Sequence, residues 1–293
     1  MQPPKPKEPA FVLTYGPSGS GKTTDNGYSF PRALFIAARG ALKSIQNVCG
    51  YEPVVEEADG IEALTKRISS IKPGQYDSVV VDDFSFIAEQ TFAKLEKKHN
   101  GFKLWGALRD ITIDFRNAAR YANCHVIANC WEVGPKEKAG QRVRGGPMLP
   151  ANMPEQVPAM TDLTLRCGIE QMRKPWPGVY HCFLSNDYVM KDRFDVVPRI
   201  SPAPMNLAEI LRAVGYDVAR HPELEWQEDV VESVSTQILA ANPGDMTKIA
   251  NQVYAALISG GASPTAARWT LRDGVDRSVI RRALSVRNDT FFM

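Results

Sequence analysis

Residues 11–24 read FVLTYGPSGSGKTT, and residues 16–23 match the pattern G-x-x-x-x-G-K-[ST] in full. Glycines in such a loop let the backbone take conformations that a side chain would obstruct. Successive N–H groups can then face a phosphate at the positive end of the following helix. Since an apolar run precedes the loop, the stretch predicts a buried strand, a phosphate-binding loop and a helix, in that order.

The side chains of this loop predict how a nucleoside triphosphate would bind. Lys22 is expected to reach the β- and γ-phosphates, and the Thr23 hydroxyl to complete the shell of a Mg²⁺ ion. ATP and Mg²⁺ are therefore the predicted ligands, and GTP is disfavoured because no N-K-x-D motif follows. The predicted nucleotide-binding residues are Gly16, Pro17, Ser18, Gly19, Ser20, Gly21, Lys22, Thr23 and Thr24.

Length and composition favour a globular protein that has either one large domain or one core with an appendage. The chain has 293 residues, of which 44% are hydrophobic and 23% charged, with a net charge of +2. Nucleic-acid binding would therefore need local basic patches. Residues 1–10 are polar and proline-rich, which predicts a flexible tail, and no apolar run is long enough to span a bilayer, so we expect a cytoplasmic protein without a membrane partner. The five cysteines form no C-x-x-C pair and are interpreted as reduced, mostly buried thiols.

Two later stretches supply candidate partners for the phosphate-binding loop. Residues 76–83 read YDSVVVDD, which is typical of a buried parallel strand that ends in carboxylates. This pattern predicts that Asp82 holds Mg²⁺ through a water molecule and that Asp83 lies beside the γ-phosphate; the alternative is a solvated acid pair. Residues 125–130, HVIANC, predict another short strand, in which Asn129 is either a polar γ-phosphate sensor or a turn asparagine.

Residues 134–146, GPKEKAGQRVRGG, combine glycine with basic side chains and are predicted to form no regular element. Such a loop leaves the sheet at the strand ends, where α/β proteins bind ligands. It is expected to contact the backbone phosphates of single-stranded DNA, and a merely solvated loop is the alternative. The predicted DNA-binding residues are Lys136, Lys138, Arg142 and Arg144.

The last third of the chain changes from strands to helices. Residues 162–169 and 178–184 are interpreted as antiparallel edge strands, and Lys191 and Arg193 share one face of an extended segment. After residue 204 the pattern is helical. Asp276 is expected to cap a last helix, with four arginines away from its buried face: Arg277, Arg281, Arg282 and Arg287. This ending has helix-turn-helix proportions, and a small bundle packed on the core or on a neighbouring subunit is the open alternative.

The ordered motifs resemble the RecA-like ATPase core, specifically the phage-encoded AAA-type ATPases linked to single-strand annealing and recombination. The matching pieces are GPSGSGKTT, FPRALFIAARGALKS, YDSVVVDD, HVIANCWE, GGPMLPANMPEQVPAMTD and MKDRF, which cover roughly residues 11–200. The resemblance implies an α/β fold. Its RecA-like P-loop NTPase core, with a central and mostly parallel sheet, would occupy residues 11–204, and a helical extension would occupy residues 205–293.

The same resemblance implies a site shared between subunits. MKDRF is similar to the K-x-R-F segment of RecA-like helicases, whose lysine and arginine reach the ATP site of the neighbouring subunit. Lys191 and Arg193 would then act in trans in a homo-oligomer, either a ring or a filament.

One position departs from the resembling family. RecA-type proteins end the strand matched by ALFIAARG in a glutamate that activates the attacking water, and Arg39 occupies that position here. Since a cation cannot be a general base, either Asp83 or Glu132 takes the role or hydrolysis is slow. Glu56 and Glu57 are further candidates.

These observations predict an ATP-binding, ATP-hydrolysing and DNA-binding protein that acts in phage recombination or single-strand annealing. Its expected partners are single-stranded DNA, further copies of itself, and phage or host replication and recombination proteins in the host cytoplasm. The alternatives are a ring-forming DNA translocase, helicase or helicase loader, a small-molecule kinase, and a non-catalytic ATP-binding structural protein, which Arg39 favours.

Overall fold

The computed structural model describes residues 8–38, 40–138, 140–169, 178–182, 185–219, 228–241 and 245–290, without the side chains of residues 286–290. Most of the predicted tail, residues 1–7, lies outside the described residues, and so does Arg39. The strands are β1 (Phe11–Tyr15), β2 (Ala33–Ile36), β3 (Val54–Glu56), β4 (Ser78–Val81), β5 (His125–Cys130), β6 (Glu132–Val133), β7 (Lys136–Lys138), β8 (Gln141–Val143), β9 (Gly146–Pro147), β10 (Leu163–Ile169), β11 (Gly178–His181), β12 (Lys191–Asp192) and β13 (Ala203–Pro204).

The helices flank the sheet and then form the C-terminal region. They are α1 (Lys22–Ser29), α2 (Ile61–Ser69), α3 (Phe84–Lys98), α4 (Phe102–Arg120), α5 (Met153–Met160), α6 (Val197–Ile200), α7 (Leu207–Val214), α8 (Glu228–Ala240), α9 (Met246–Ser259) and α10 (Pro264–Thr290), with a π-helical turn at Ile45–Cys49. Helix α1 is short, as predicted, because the chain must leave the helical region before Pro31.

Within the described ranges, nine strands form the central sheet in the order β13-β11-β10-β1-β5-β4-β2-β3, with β12 beside β10. The six strands from β10 to β3 are all parallel to their neighbours. Their carboxyl ends therefore meet at one edge of the sheet. Strand β5 lies between β1 and β4, so the strand before the glycine-rich loop and the strand before Asp82 are not neighbours. The predicted α/β fold, with a mostly parallel sheet and C-terminal helices, is confirmed.

The core lies on both faces of this sheet because alternate strand residues point to opposite sides. Val12 and Ile127 belong to one apolar cluster with α1 and the C-terminal helices. Leu13 and Ala128 belong to the other cluster, with α2, α3 and α4. All five cysteines are buried and free.

Strand β10 does not match the edge strand expected for residues 162–169. It pairs parallel with β1 over Leu163–Arg166 and lies inside the sheet, whereas β11 pairs antiparallel with it. Helix α5 explains the difference, because it returns the chain to the amino ends of the strands before β10 begins. The Asp162 carboxylate then accepts a hydrogen bond of 3.0 Å from the Phe11 N–H and joins the starts of the two strands.

The last helix is one continuous element, so the helix start expected at Asp276 was wrong. Asp276 lies inside α10, where its carboxylate accepts a 3.0 Å hydrogen bond from Asn206 and lies 3.3 Å from Arg272, one turn earlier. Since these partners occupy its oxygens, the aspartate does not cap a new helix.

The expectation that the last arginines lie away from the buried face was wrong for Arg277, whereas Arg281 and Arg282 are exposed as expected. Arg277 is buried and binds Glu209 of α7 at 3.0 Å, and Arg281 binds Glu232 of α8 at 2.6 Å. Arg282 donates to backbone carbonyls at the carboxyl end of α8, and the Arg287 side chain lies outside the described part. Arg277, Arg281 and Arg282 therefore join the last helix to α7 and α8. The division at residue 204 and the helix-turn-helix interpretation stay predictions.

None of the helices in the described ranges is both long enough and apolar enough to span a bilayer.

We predict that the buried His125 makes folding sensitive to acid. Its Nδ1 accepts a 3.0 Å hydrogen bond from the Ala10 N–H, and burial lowers the pKa of the imidazole to about 4. An unfolded histidine titrates near 6.5, so the unfolded state binds more protons between these values, and stability is lost as the pH falls through this window. From pH 7 to pH 4.5 the loss should approach about 2 kcal/mol from this residue.

The measurement is urea unfolding of the unaltered chain and of His125→Asn at both pH values. The asparagine amide oxygen can replace Nδ1 as an acceptor but does not titrate, so the variant should lose less stability on acidification. Buried carboxyl groups such as Asp82 have raised pKa values and oppose this effect equally in both chains. Equal losses in the two chains would show that His125 does not titrate as proposed.

Candidate functional site

The glycine-rich loop after β1 is shaped by its neighbours. A Cβ at Gly16 would lie 2.5 Å from the Cys167 carbonyl oxygen of β10, so no larger residue fits. Gly19 and Gly21 have φ values of 79° and 94°, in the left-handed region that favours glycine. Gly21 precedes α1, and no side chain in the described structure caps that helix end. The first N–H groups of α1 therefore lack side-chain partners and are suited to bind an anion.

An open cleft of about 470 Å³ lies over this loop at the carboxyl edge of the sheet. It brings together Lys22, Thr23, Asp82, Asp83 and Asn129, which the sequence places far apart. The complete lining among the described residues is Ser18, Gly19, Ser20, Gly21, Lys22, Thr23, Thr24, Ala41, Ser44, Asp82, Asp83, Asn129, Cys130 and Trp131.

Lys22 is the one cation among the described residues that line the cleft. Its Nζ donates to the carbonyl oxygens of Gly16 at 2.8 Å and Pro17 at 3.0 Å, and to the Ser20 hydroxyl at 3.3 Å. These acceptors are neutral and belong to the loop itself. A phosphate oxygen would be a stronger partner, because a charge-assisted hydrogen bond is about twice as strong as a neutral one.

Thr23 and Asp82 are the two candidate metal-binding residues. The Thr23 hydroxyl donates to the two Asp82 carboxylate oxygens at 3.0 and 3.1 Å. Burial raises the pKa of Asp82, while hydrogen bonds from Asn129 and Thr23 act in the opposite direction. Hydroxyl and carboxylate oxygens suit Mg²⁺, which usually binds one or two carboxylates together with phosphate oxygens and water. The residues present therefore fit a Mg²⁺ ion.

Asn129 is held in one orientation by its neighbours. Its Oδ1 accepts hydrogen bonds from the Thr14 hydroxyl at 2.7 Å and the Asn26 amide at 2.8 Å. Its Nδ2 donates to Asp82 at 2.8 Å. The side chain thus lies beside Asp82, and its role as a γ-phosphate sensor stays a prediction. Sequence reasoning missed Thr14 and Asn26, although a threonine inside the apolar run of β1 is a signal that could have been read.

Asp83 has two structural features that constrain its chemistry. It has a φ of 70°, and its carboxylate accepts a 3.1 Å hydrogen bond from the Phe86 N–H as the cap of α3. Burial raises the pKa of this carboxyl, and the nearby Asp82 charge raises it further. Asp83 lines the cleft, and one of its carboxylate oxygens accepts the hydrogen bond that caps α3.

The other candidate bases lie in different surroundings. Glu132 receives two hydrogen bonds of 3.1 Å from Arg166, and it is not among the described residues that line the cleft. Glu56 is bound by Arg67 at 2.6 Å. Glu57 lines a second cleft of about 350 Å³, which shares Asp82 and Asp83 with the first.

The basic segment forms a hairpin, so the expectation of no regular element was wrong. Strands β7 and β8 pair antiparallel, with Glu137 opposite Arg142, and Gly140 in the connection has a φ of 74°. Pairing of β6 with β9 forms the root of this hairpin. The four predicted DNA-binding residues are all exposed, and Arg142 forms an ion pair with Asp187.

Trp131 connects the cleft to this hairpin and was not identified from the sequence. It follows β5 directly and lines the cleft, and its side chain is 42% exposed. The backbone N–H of Trp131 donates to the Ser85 hydroxyl at 3.0 Å, and its backbone carbonyl accepts a hydrogen bond of 2.8 Å from the Met148 N–H. Two hydrogen bonds therefore hold the backbone of Trp131 at the border of the cleft.

Lys191 and Arg193 lie at the opposite edge of the sheet. Lys191 donates to the carbonyl oxygens of Ala159 at 2.6 Å and Thr161 at 2.7 Å, at the carboxyl end of α5. Burial and the Arg193 charge lower the pKa of Lys191 to about 8. Arg193 binds Asp162 at 3.1 Å, beside the first residue of β1. The length of β1, roughly 13 Å, separates both cations from the cleft of their own subunit.

Comparison with known proteins identifies a family that matches this chain. No curated protein matches the chain. Among solved structures, 224 chains match, including one titled "Crystal structure of the RadB recombinase". That structure has 15% sequence identity and a TM-score of 0.38, and the match covers 62% of this chain and 85% of that chain. A sequence-family model described as an AAA domain, AAA_24, matches residues 8–194 of the 293, so the chain belongs to the AAA_24 family of AAA-domain proteins.

Proposed function

We propose that this chain is a Mg²⁺-dependent ATPase that binds single-stranded DNA and works as a homo-oligomer, in phage DNA recombination or strand annealing in the host cytoplasm. The observation that carries the proposal is the cleft in which Lys22, Thr23, Asp82 and Asn129 converge on the glycine-rich loop. The resemblance of six ordered sequence motifs to phage RecA-like ATPases supports the biological setting.

Five side chains of the cleft would take part in this chemistry, together with the N–H groups of the loop. Loop N–H groups and Lys22 would bind the β- and γ-phosphates, and Thr23 and Asp82 would hold Mg²⁺, which neutralises developing phosphate charge when bound. Asn129 donates its amide N–H to Asp82 and would act as the sensor of the γ-phosphate. Asp83 is the favoured proton acceptor for the attacking water, because it lines the cleft while Arg166 holds Glu132.

One observation favours a second candidate, an ATP-binding protein with little or no turnover. The carboxylate of Glu132 is committed to Arg166, and Asp83 is committed in part to the α3 cap. Both commitments weaken a general base. Nucleotide binding is common to the two candidates, so a turnover measurement separates them.

The hairpin supports contact with DNA. Lys136, Lys138, Arg142 and Arg144 are all exposed, and two acidic residues, Glu137 and Asp187, lie beside Arg142. The hairpin follows β5 at the carboxyl edge of the sheet, where the cleft opens. Such a surface neutralises backbone phosphates and releases counterions. Trp131 at the hairpin root adds an exposed ring on which an unpaired base can stack.

The position of Lys191 and Arg193 supports shared sites between subunits. Neither reaches the cleft of its own chain, and the partly exposed Arg193 side chain forms an ion pair with Asp162. A partly exposed pair of this kind is worth about 1 kcal/mol or less, so its exchange for a phosphate of a neighbouring subunit costs little.

Replacement of Lys22 by alanine should abolish MgATP binding or reduce turnover by at least about 100-fold, because the one described cation of the cleft is removed. Calorimetry with MgATP and a phosphate-release assay measure the two effects. Lys43→Ala is the matched control, since Lys43 is exposed and does not line the cleft. Wild-type affinity and turnover in folded Lys22→Ala protein would contradict nucleotide binding at this loop.

Neutralising the hairpin should flatten the salt dependence of DNA binding. With Lys136, Lys138, Arg142 and Arg144 all changed to glutamine, the log–log slope for single-stranded DNA should fall by about 0.7 for each phosphate that the hairpin no longer neutralises. Fluorescence anisotropy with a labelled oligonucleotide at several salt concentrations gives the slope. The exposed Lys97 and Lys98 of α3, changed to glutamine, serve as the control. An unchanged slope in the hairpin variant would place the DNA elsewhere.

Arg193→Ala should leave MgATP affinity nearly intact and lower turnover steeply, by about 10³-fold if the guanidinium acts as an arginine finger. Mixing it with Lys22→Ala protein should restore part of the activity, because each variant supplies the half-site that the other lacks. Arg199→Ala is the control, since Arg199 is an arginine paired with Asp195 nearby. If co-assembled variants are no more active together than apart, the sites are not shared.

A further inference from the structure

Helix α1 begins at the phosphate-binding loop and is buried over its last five residues. Asp25, two positions after Thr23, is fully buried. Its Oδ1 accepts from Ser29 at 3.4 Å and Arg272 at 3.2 Å, and its Oδ2 accepts from Tyr180 at 2.7 Å and the Leu207 N–H at 3.2 Å. A buried carboxylate needs such donors to remain charged. Four donors therefore hold α1 through Asp25, and three of them come from distant segments.

Arg272 brings the C-terminal helix into this network. It lies on α10, 247 positions from Asp25, and its guanidinium also lies 4.5 Å from the centre of the Tyr28 ring. Trp269, one turn earlier on α10, stacks on Tyr28 with ring centres 4.0 Å apart. Helix α10 thus holds α1 through a buried ion pair and an aromatic stack.

Arg272 also contacts the phosphate-binding loop indirectly, through Met205. Arg272 donates to the carbonyl oxygen of Met205. A Cβ at Gly178 would lie 2.3 Å from the Ser20 carbonyl and 2.4 Å from the Met205 sulfur, so Ser20, Gly178 and Met205 are in close contact. The back of the phosphate-binding loop therefore rests on a segment that Arg272 also holds.

We propose that Arg272 is a positioning residue of the nucleotide site. Through Asp25 and Met205 it sets the position of α1 and of the phosphate-binding loop, and it thereby couples the C-terminal helix α10 to nucleotide occupancy. The inference rests on the nucleotide binding proposed above. Coupling of this kind is reciprocal, so a nucleotide that binds the positioned loop also stabilises the contact of α10 with α1.

Arg277 provides a matched control on the same helix. Its side chain is 9% exposed, as is that of Arg272, and it forms ion pairs with Glu209, Glu228 and Glu232, but these belong to α7 and α8. Arg277→Met should therefore lower the stability of the nucleotide-free protein without changing the MgATP dissociation constant of the folded fraction. If the role of Arg272 were purely structural, Arg272→Met would likewise lower stability and leave the MgATP dissociation constant unchanged.

The first measurement compares Arg272→Met with Arg277→Met by denaturant unfolding and by MgATP calorimetry. We expect the MgATP dissociation constant to rise about tenfold or more in Arg272→Met and to stay unchanged in Arg277→Met. Arg272→Lys, which keeps a charge for Asp25, should lie between Arg272→Met and the unaltered chain. Equal dissociation constants in both methionine variants, at comparable losses of stability, would overturn the proposal.

The second measurement uses the unaltered protein and does not depend on a folded variant. Hydrogen exchange of residues 264–285 should slow on addition of MgATP, whereas exchange in α9, which packs on α8 and α10, should not change. Unchanged exchange in residues 264–285 at saturating MgATP would also overturn the coupling. These results differ from those expected if the proposed function is wrong, because the unaltered protein would then not bind MgATP at all.

Discussion

The hydrogen bond between Thr23 and Asp82 joins two parts of the chain that are 59 positions apart, and the cleft depends on it. Thr23 follows β1, whereas Asp82 follows β4, and β5 lies between them in the sheet. Because all three strands run parallel, their carboxyl ends meet at one edge of the sheet. Asn129, near the carboxyl end of β5, forms hydrogen bonds with Thr14 of β1 and with Asp82. A hydroxyl, a carboxylate and an amide are thereby assembled next to loop N–H groups that lack side-chain caps.

The same polar network reaches well beyond the cleft. Asn26 connects Asn129 to α1, and Asp25, the preceding residue, connects α1 to Arg272 of the last helix. The C-terminal helix α10 is consequently packed on α1 through a buried ion pair and stacked rings. Trp131 lines the cleft directly after β5, and the hairpin follows it along the chain. The cleft and the hairpin thus lie at the same edge of the sheet.

Local patterns made part of this structure predictable. The loop, Asp82 and Asn129 could be recognised because their chemistry requires certain residues directly after short apolar strands. Pairings between distant segments could not be read in this way. The parallel position of β10 depends on the return through α5, and the burial of Arg277 depends on acids of α7 and α8. The hairpin was missed because its polar strands, Lys136–Lys138 and Gln141–Val143, carry no apolar alternation and form through their pairing.

A crystal structure with Mg²⁺ and a non-hydrolysable ATP analogue tests the central claim most directly, namely that Lys22, Thr23 and Asp82 form the phosphate and metal site. Lys22 Nζ should leave the carbonyl oxygens of Gly16 and Pro17, to which it now donates at 2.8 and 3.0 Å, and bind phosphate oxygens instead. The Thr23 hydroxyl should coordinate the metal, with Asp82 beside it. An analogue bound elsewhere, or a Lys22 that keeps its present partners, would contradict the claim.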